Sequence, residues 1–379
     1  MADVLPLSLI EALSRVADPR SPLGLRHPLV AVLSLLSMGV MCGCRSVFAI
    51  LQWGRDQGQE MSVTLGLGRH GIPSNGMMSN LLRRIDVSAF ELALQTWAAA
   101  WPAEATVAGV PDAISIDGKT LRGARGHEVP GVHLLAAYAL RLGMVLNQVS
   151  AGASKEDGGE IRAAPRLLKS LVLEGKVITG DAIHAQRDLC GMIVKKRGDY
   201  LLTVKENQPR LHHELVDLFR SPCAPLFTCE QTDQHGSRTE KRTIWTSGEL
   251  AGWHKWPGLK TACAIRREVW GRKGPGSYEC ETAYLIGSMD HHAYGPEVFL
   301  QLNREHWAIE NKLHYVRDVT MGEDTCRVRK GSGPQVLAGI RNSVIALARR
   351  DGWTNIAAAL RHYAIKTAAA LRLLGITEN

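Results

Sequence analysis

Residues Lys176–Cys190, KVITGDAIHAQRDLC, constrain the fold more than any other stretch of this chain. Val177, Ile178 and Thr179 form a strand-type run that ends at Gly180 and a carboxylate, Asp181. The spacing then turns helical, with Leu189, Ile193 and Val194 on one face. Asp181 has two readings. A carboxylate at the end of a buried strand can present a metal ligand. The same residue type caps the free N–H groups of a first helical turn. The stretch alone leaves both open, so the rest of the chain must supply partners.

At 379 residues the chain is long enough for two or three domains. A hydrophobic fraction of 45% and a charged fraction of 22% are those of an ordinary globular protein, and a net charge of +8 favours a polyanionic partner. The eight cysteines show no CxxC spacing, which argues against a zinc site or a disulfide framework and for a reducing cytoplasm. Met1–Pro6 lacks the charged start of a signal peptide. The apolar run Leu29–Cys44 is shorter than the roughly 18–20 residues of a membrane span and reads as a buried helix.

The first hundred residues read as helical: Leu5–Val16, the apolar run, a helix through Phe48 and Trp53, and Met77–Trp97. A looser Gly-rich stretch separates the last two, from Gly54 to Gly76. Short helices bearing Arg83 and Arg84 suit either a helix-turn-helix unit or a packing module. Strands follow at Ala113–Asp117, His133–Leu140 and Met144–Ala151, the last two joined by a tight hairpin. A helix over roughly 158–174 (with Pro165 at an early turn), the Val177 strand, a helix beyond Asp181 and a strand at Tyr200–Val204 complete the order β-β-β-α-β-α-β. That order predicts an α/β fold, a mixed sheet with flanking helices.

After a short helix near Arg210–Arg220, β-type stretches occur at Arg242–Thr246, Thr261–Val269 and Glu281–Ile286. Here Arg238, Lys241, Arg242, Arg266 and Arg267 alternate with Trp245, Trp253, Trp256 and Trp270. The mixture suits nucleic acid, with cations on phosphates and rings on bases, and equally suits a solvated sheet with Trp in its core. Helices resume near Glu297, where Leu302, Ile309, Leu313 and Val316 form one stripe and Asn303, His306, Glu310, His314 and Arg317 an adjoining polar one.

Three carboxylates stand out by placement: Asp117 and Asp181 at strand ends, and Glu310 on the late helix. In this strand order the fourth strand can lie beside and parallel to the first, which would make the two aspartates neighbours. Carboxylates that close repel unless a cation lies between them, and oxygen-only ligands select Mg²⁺ or Mn²⁺. Two such ions clamp the attacking and leaving oxygens of a phosphodiester displacement. Each residue also has a plainer reading: a turn dipeptide for Asp117-Gly118, a helix cap for Asp181, a surface residue for Glu310.

SIDGKTLRG from Ser115, KVITGDAIHAQ from Lys176 and REHWAIENKLHY from Arg304 resemble bacterial insertion-sequence transposases of the DDE class, in particular the H-repeat-associated, Rhs-linked group. DPRSPLGLRHPL at 18–29, GDYLLTVKENQP at 198–209 and GEDTCRVRKGSGPQVLAGIRN at 322–342 agree in the same order. The resemblance covers most of the chain. It implies a ribonuclease-H-like mixed sheet with flanking helices, a helical N-terminal domain and a β-rich insertion before the last catalytic helix. The corresponding boundaries are 1–105, 106–206, 207–295 and 296–379.

The resemblance also implies that Asp117, Asp181 and Glu310 bind two Mg²⁺ ions, with Mn²⁺ as a substitute. The implied reaction is hydrolytic nicking at element ends followed by 3′-OH strand transfer. Its partners are double-stranded DNA, as terminal inverted repeats and target, and a second copy of the chain on DNA. Lys119, Arg122, Lys205, Arg242, Arg304, His306 and Arg317 are candidate DNA contacts. Many related transposases carry Tyr, Arg and Lys around the Glu, where this chain has Asn303, His306 and Arg317; only Arg317 keeps the charge. Two other readings compete: a decayed or regulatory protein that binds element ends without cutting, and a ribonuclease-H-like nuclease without sequence preference.

Overall fold

A computed structural model describes residues 7–101, 109–124, 131–152, 159–222, 226–272, 274 and 276–376. Six helices come first: α1 (Leu9–Leu13), α2 (Leu29–Met41), α3 (Val47–Asp56), α4 (Gly58–Thr64), α5 (Asn75–Leu82) and α6 (Val87–Ala99). Then come β1 (Asp112–Leu121), β2 (Val132–Ala139), β3 (Met144–Ser150), α7 (Gly159–Lys169), β4 (Lys176–Gly180), α8 (Arg187–Lys195), β5 (Asp199–Val204) and α9 (Pro209–Arg220). Next are β6 (Phe227–His235), β7 (Arg238–Ser247), β8 (Thr261–Trp270), β9 (Tyr278–Gly287) and α10 (Pro296–His306). The chain ends in α11 (Gly333–Arg350), α12 (Ile356–Ile365) and α13 (Thr367–Leu374). The nine strands make one mixed sheet in the order β3-β2-β1-β4-β5-β9-β8-β7-β6.

The chain divides into two compact units. The first comprises residues up to Glu104, Gly118–Gly159 and everything from Glu310 onward. Its centre is α11, buried over nearly its whole length because Ala, Val, Ile and Leu recur on every face. Gly339 is small where α11 meets α6: a Cβ there would lie 2.7 Å from the Phe90 ring. The apolar run expected to be a core helix is α2, with every residue but Val30 buried. No helix among the described residues is long and apolar enough to cross a membrane. A polar chain threads this core: Glu91 accepts from Gln148 at 3.0 Å and from Gln335 at 2.9 Å, and Asn342 donates to Gln148 at 3.0 Å.

The second unit holds Ala105–Asp117 and Glu160–Ile309. Within it β1, β4 and β5 are parallel, and β9 joins β5 antiparallel. The basic β-rich stretch therefore continues the same sheet through β9, β8, β7 and β6. Helix α10 packs on β6 and β7, and α9 on β8 and β9.

Several expectations change. Met77–Trp97 is two helices, because Asp86 caps a new one by accepting from the Ser88 and Ala89 N–H groups. The Gly-rich stretch contains α4. Strand β1 runs through Asp117-Gly118 to Leu121, so that dipeptide is no turn. Helix α7 ends at Lys169 and carries Pro165 inside it. Strand β6 was not expected, since FTCEQTDQH is largely exposed and offers little apolar alternation. The expected first helix narrows to α1, and Leu5 and Pro6 lie outside the described residues.

Candidate active site

The β1 residues Ala113, Ile114, Ser115 and Ile116 are all buried, as in a strand covered on both faces. Strand β4 is buried likewise from Val177 to Gly180. Their parallel register pairs Ser115 with Thr179 and Ile116 with Gly180. Asp117, within β1, and Asp181, just past the end of β4, are the next residues along, on neighbouring strands roughly 4.8 Å apart. Gly180 fits closely here, because a Cβ would sit within 3.2 Å of the Ile116, His184 and Leu202 side chains.

Asp181 does not cap α8. It precedes a single tight turn, Ala182–His184, and its side chain caps no N–H group. Helix α8 starts later, after Gln186. The carboxylate is instead 70% exposed and faces His306, whose Nε2 is 3.4 Å from Oδ1. The other ring nitrogen of His306 lies 3.2 Å from the Thr179 hydroxyl, which in turn meets the Ser115 hydroxyl at 3.0 Å. A buried polar chain thus links β1, β4 and α10 to Asp181. The His306 hydrogen bond holds the Asp181 carboxyl below the ordinary Asp range against the upward push of burial, with help from Lys205 and His184.

The loop after Asp181 is fixed from the KENQP segment. Asn207 donates to the Ala182 carbonyl at 2.6 Å and Gln208 to the Ala185 carbonyl at 2.9 Å. Buried His184 places Nε2 3.1 Å from Glu160. Ser115, Thr179, Asn207 and Gln208 were not singled out from sequence. Hydroxyl residues inside an otherwise apolar strand were the available signal for the first two.

In the first unit, Glu310 opens a π-helical turn, Glu310–His314, followed by a second at Val316–Thr320. Such turns concentrate at functional sites. Glu310 and His314 offer ligand atoms within 4.8 Å of each other. In the sequence Glu310 comes four residues after His306, where α10 ends.

The candidate DNA contacts divide. Arg317 is fully buried, and its Nε and Nη2 each reach Glu323 at 2.8 Å. Arg341 approaches the same carboxylate at 3.1 Å. Burial pushes the Glu323 carboxyl up, but Arg317 and Arg341 outweigh it and hold the group below its usual range. Arg317 is therefore a core residue and not a phosphate contact. Lys119 is buried on Asp318 at 2.5 Å, and His306 is buried beside Asp181. Arg242 and Arg304 converge on Asp233, at 2.8 and 3.0 Å. Arg122 is open to solvent, 82% exposed in its side chain, and Lys205 is exposed. Of the tryptophans proposed to stack on bases, Trp256 is core and carries the Arg187 guanidinium 4.9 Å over its ring.

Comparison with known proteins shows the family of the chain. The family described as "Transposase DDE domain" matches residues 108–347, and the one described as "DDE_Tnp_1-associated" matches residues 10–98. The chain is 30% identical over 352 residues to "Putative transposase YncI" of Escherichia coli O157:H7, covering 90% of this chain and 87% of that one. It is 29% identical over 357 residues to "H repeat-associated putative transposase YhhI" of Escherichia coli strain K12, covering 90% of each. The chain belongs to the family of DDE-domain transposases, among relatives of the H-repeat-associated kind.

Proposed function

We propose that this chain is an active DNA transposase, which nicks the ends of its element by hydrolysis and joins the freed 3′-OH to target DNA. The observation that carries this reading is the β1–β4 register, which makes Asp117 and Asp181 neighbours on parallel strands, where β4 ends beside the middle of β1. We assign Asp117, Asp181 and Glu310 as the carboxylates that hold divalent cations in a ribonuclease-H-like core. The donor set fits Mg²⁺, with Mn²⁺ as substitute: the ligands are hard oxygens, and Asp181 is solvent-accessible and held in its charged form. When bound, such ions supply positive charge to the attacking and leaving oxygens of the phosphodiester.

The protein's own part is to hold these carboxylates still. His306 fixes the Asp181 carboxylate through one ring nitrogen and is itself fixed by Thr179 through the other. Arg122 and Lys205, the exposed cations, contact phosphates of duplex DNA. We further assign residues 1–105 to recognition of DNA, a dimer to the joining of two element ends, and the cytoplasm as the site of action.

The test is incubation of the purified chain with duplexes bearing the element's terminal repeats, with Mg²⁺, Mn²⁺ or a chelator. Metal-dependent nicks at the repeat boundary and joined products are expected. Binding without any cut would establish the regulatory reading, and cutting of any sequence without joining would establish a nuclease.

A further inference from the structure

A second site lies in the first unit, in a cavity of about 570 Å³ lined by Trp101, Arg141, Lys312, Arg349, Arg350 and Trp353 among others. Its size is that of a small-ligand pocket. Four of these six side chains are cations, and no carboxylate of the described residues lines the cavity. Lys312 and Arg350 have no carboxylate partner among the described residues, and such a concentration of one sign is costly unless an anion joins it.

The cations are arranged and not merely gathered. Arg349 is locked in place: it donates to the Tyr138 hydroxyl and to the carbonyls of Lys312 and Gly143, the last at 3.3 Å. Those neutral acceptors fix the guanidinium, and among the described residues no carboxylate pairs with it. Arg350 lies flat on the Trp101 ring, with Cζ 3.7 Å from the centroid. It has no ion-pair or hydrogen-bond partner among the described residues, so its in-plane N–H groups are free for a ligand. The indole N–H of Trp101 is buried with no acceptor among the described residues. Trp353 is held by its own N–H, which donates to Asp351 at 3.1 Å, so a rigid aromatic ring completes the wall.

We propose that this cavity binds one unpaired nucleotide, its phosphate on Arg350 and Lys312 and its base against Trp353. Charge and rings together select a nucleotide over inorganic phosphate, since each base offers a π-face and each linkage an anion. The nucleotide belongs to a DNA strand whose end has opened. This assignment rests on the reading of the chain as a DNA-acting protein, and names one part of the DNA that it holds.

The experiment compares the full chain with Arg350→Ala, Trp353→Ala and the ring-preserving Trp353→Phe. Fluorescence anisotropy measures binding to a flush duplex, to the same duplex with a short single-stranded overhang, and to labelled free dTMP. Arg350→Ala and Trp353→Ala are expected to weaken overhang binding about tenfold while changing flush-duplex binding less than about twofold, with Trp353→Phe near the parent. Equal losses on both duplexes, or no loss on the overhang, overturn the site. Free dTMP binding as tightly as the overhang, with the same sensitivity to substitution, overturns the assignment to a DNA strand. Failure of every DNA to bind the parent chain would count against the transposase reading instead.

Discussion

Replacing Arg317 with Ala separates two roles that the same residue could have. A phosphate contact would show itself in DNA affinity; a buried ion pair shows itself in stability. Arg317 makes two 2.8 Å contacts to Glu323, and both side chains are at most 2% exposed. Removing one partner of a buried pair costs about 3–5 kcal/mol, because a charge is left without compensation. Arg341 stays at 3.1 Å on the other carboxylate oxygen, so the lower end, about 3 kcal/mol, is expected. With a urea dependence of roughly 3 kcal/mol/M, the midpoint falls by about 1 M. Urea unfolding followed by circular dichroism and tryptophan fluorescence reads this shift. Adding Glu323→Gln to Arg317→Ala should recover part of it by removing the stranded charge. The folded variant should bind duplex DNA with an unchanged salt dependence, whereas loss of a phosphate contact would lower the slope by about one. A stable variant with a reduced salt slope would refute the argument.

Two further outcomes follow from the same geometry. His306→Ala should weaken Mn²⁺ binding and lower nicking by about 10- to 100-fold, with His306→Gln restoring part of both through its remaining donor; unchanged Mn²⁺ affinity, measured by titration calorimetry, would remove His306 from the site. Glu91, whose carboxyl is pushed up from 4.5 to about 7 chiefly by burial, binds its proton more tightly in the folded than in the unfolded chain. Its contribution is therefore full below about pH 4.5 and declines by about 3 kcal/mol as the pH rises to about 7. Glu91→Gln should raise the thermal midpoint at about pH 8 and leave it nearly unchanged at about pH 4.5. A variant less stable than the parent at the higher pH would contradict this account.

How much of this was legible in the sequence varied with how local the cause was. The strand ending in Gly180-Asp181, the hairpin of β2 and β3, and the parallel neighbour at β1 follow from periodicity and strand order. The cap reading of Asp181 failed because the next helix begins only at Arg187, and residue types alone do not show a tight turn inserted between. Arg317 was assigned to a polar stripe by projecting 3.6 residues per turn from Glu310. That segment is π-helical, with more residues per turn, so seven residues on, the projection points to the wrong face. The Ser115–Thr179–His306 chain depends on register between segments far apart in sequence. The basic cavity is assembled from residues around 101, 141, 312 and 350, and no single stretch announces it.

The central claim is that three carboxylates carry the chemistry. The most direct measurement is Mn²⁺-dependent nicking of terminal-repeat DNA by Asp117→Asn, Asp181→Asn and Glu310→Gln, with DNA binding measured beside it. Each substitution removes one ligand charge while keeping the side-chain shape. All three variants should bind DNA like the parent and produce no detectable nick. Cleavage near the parent rate by any one of them would contradict the account.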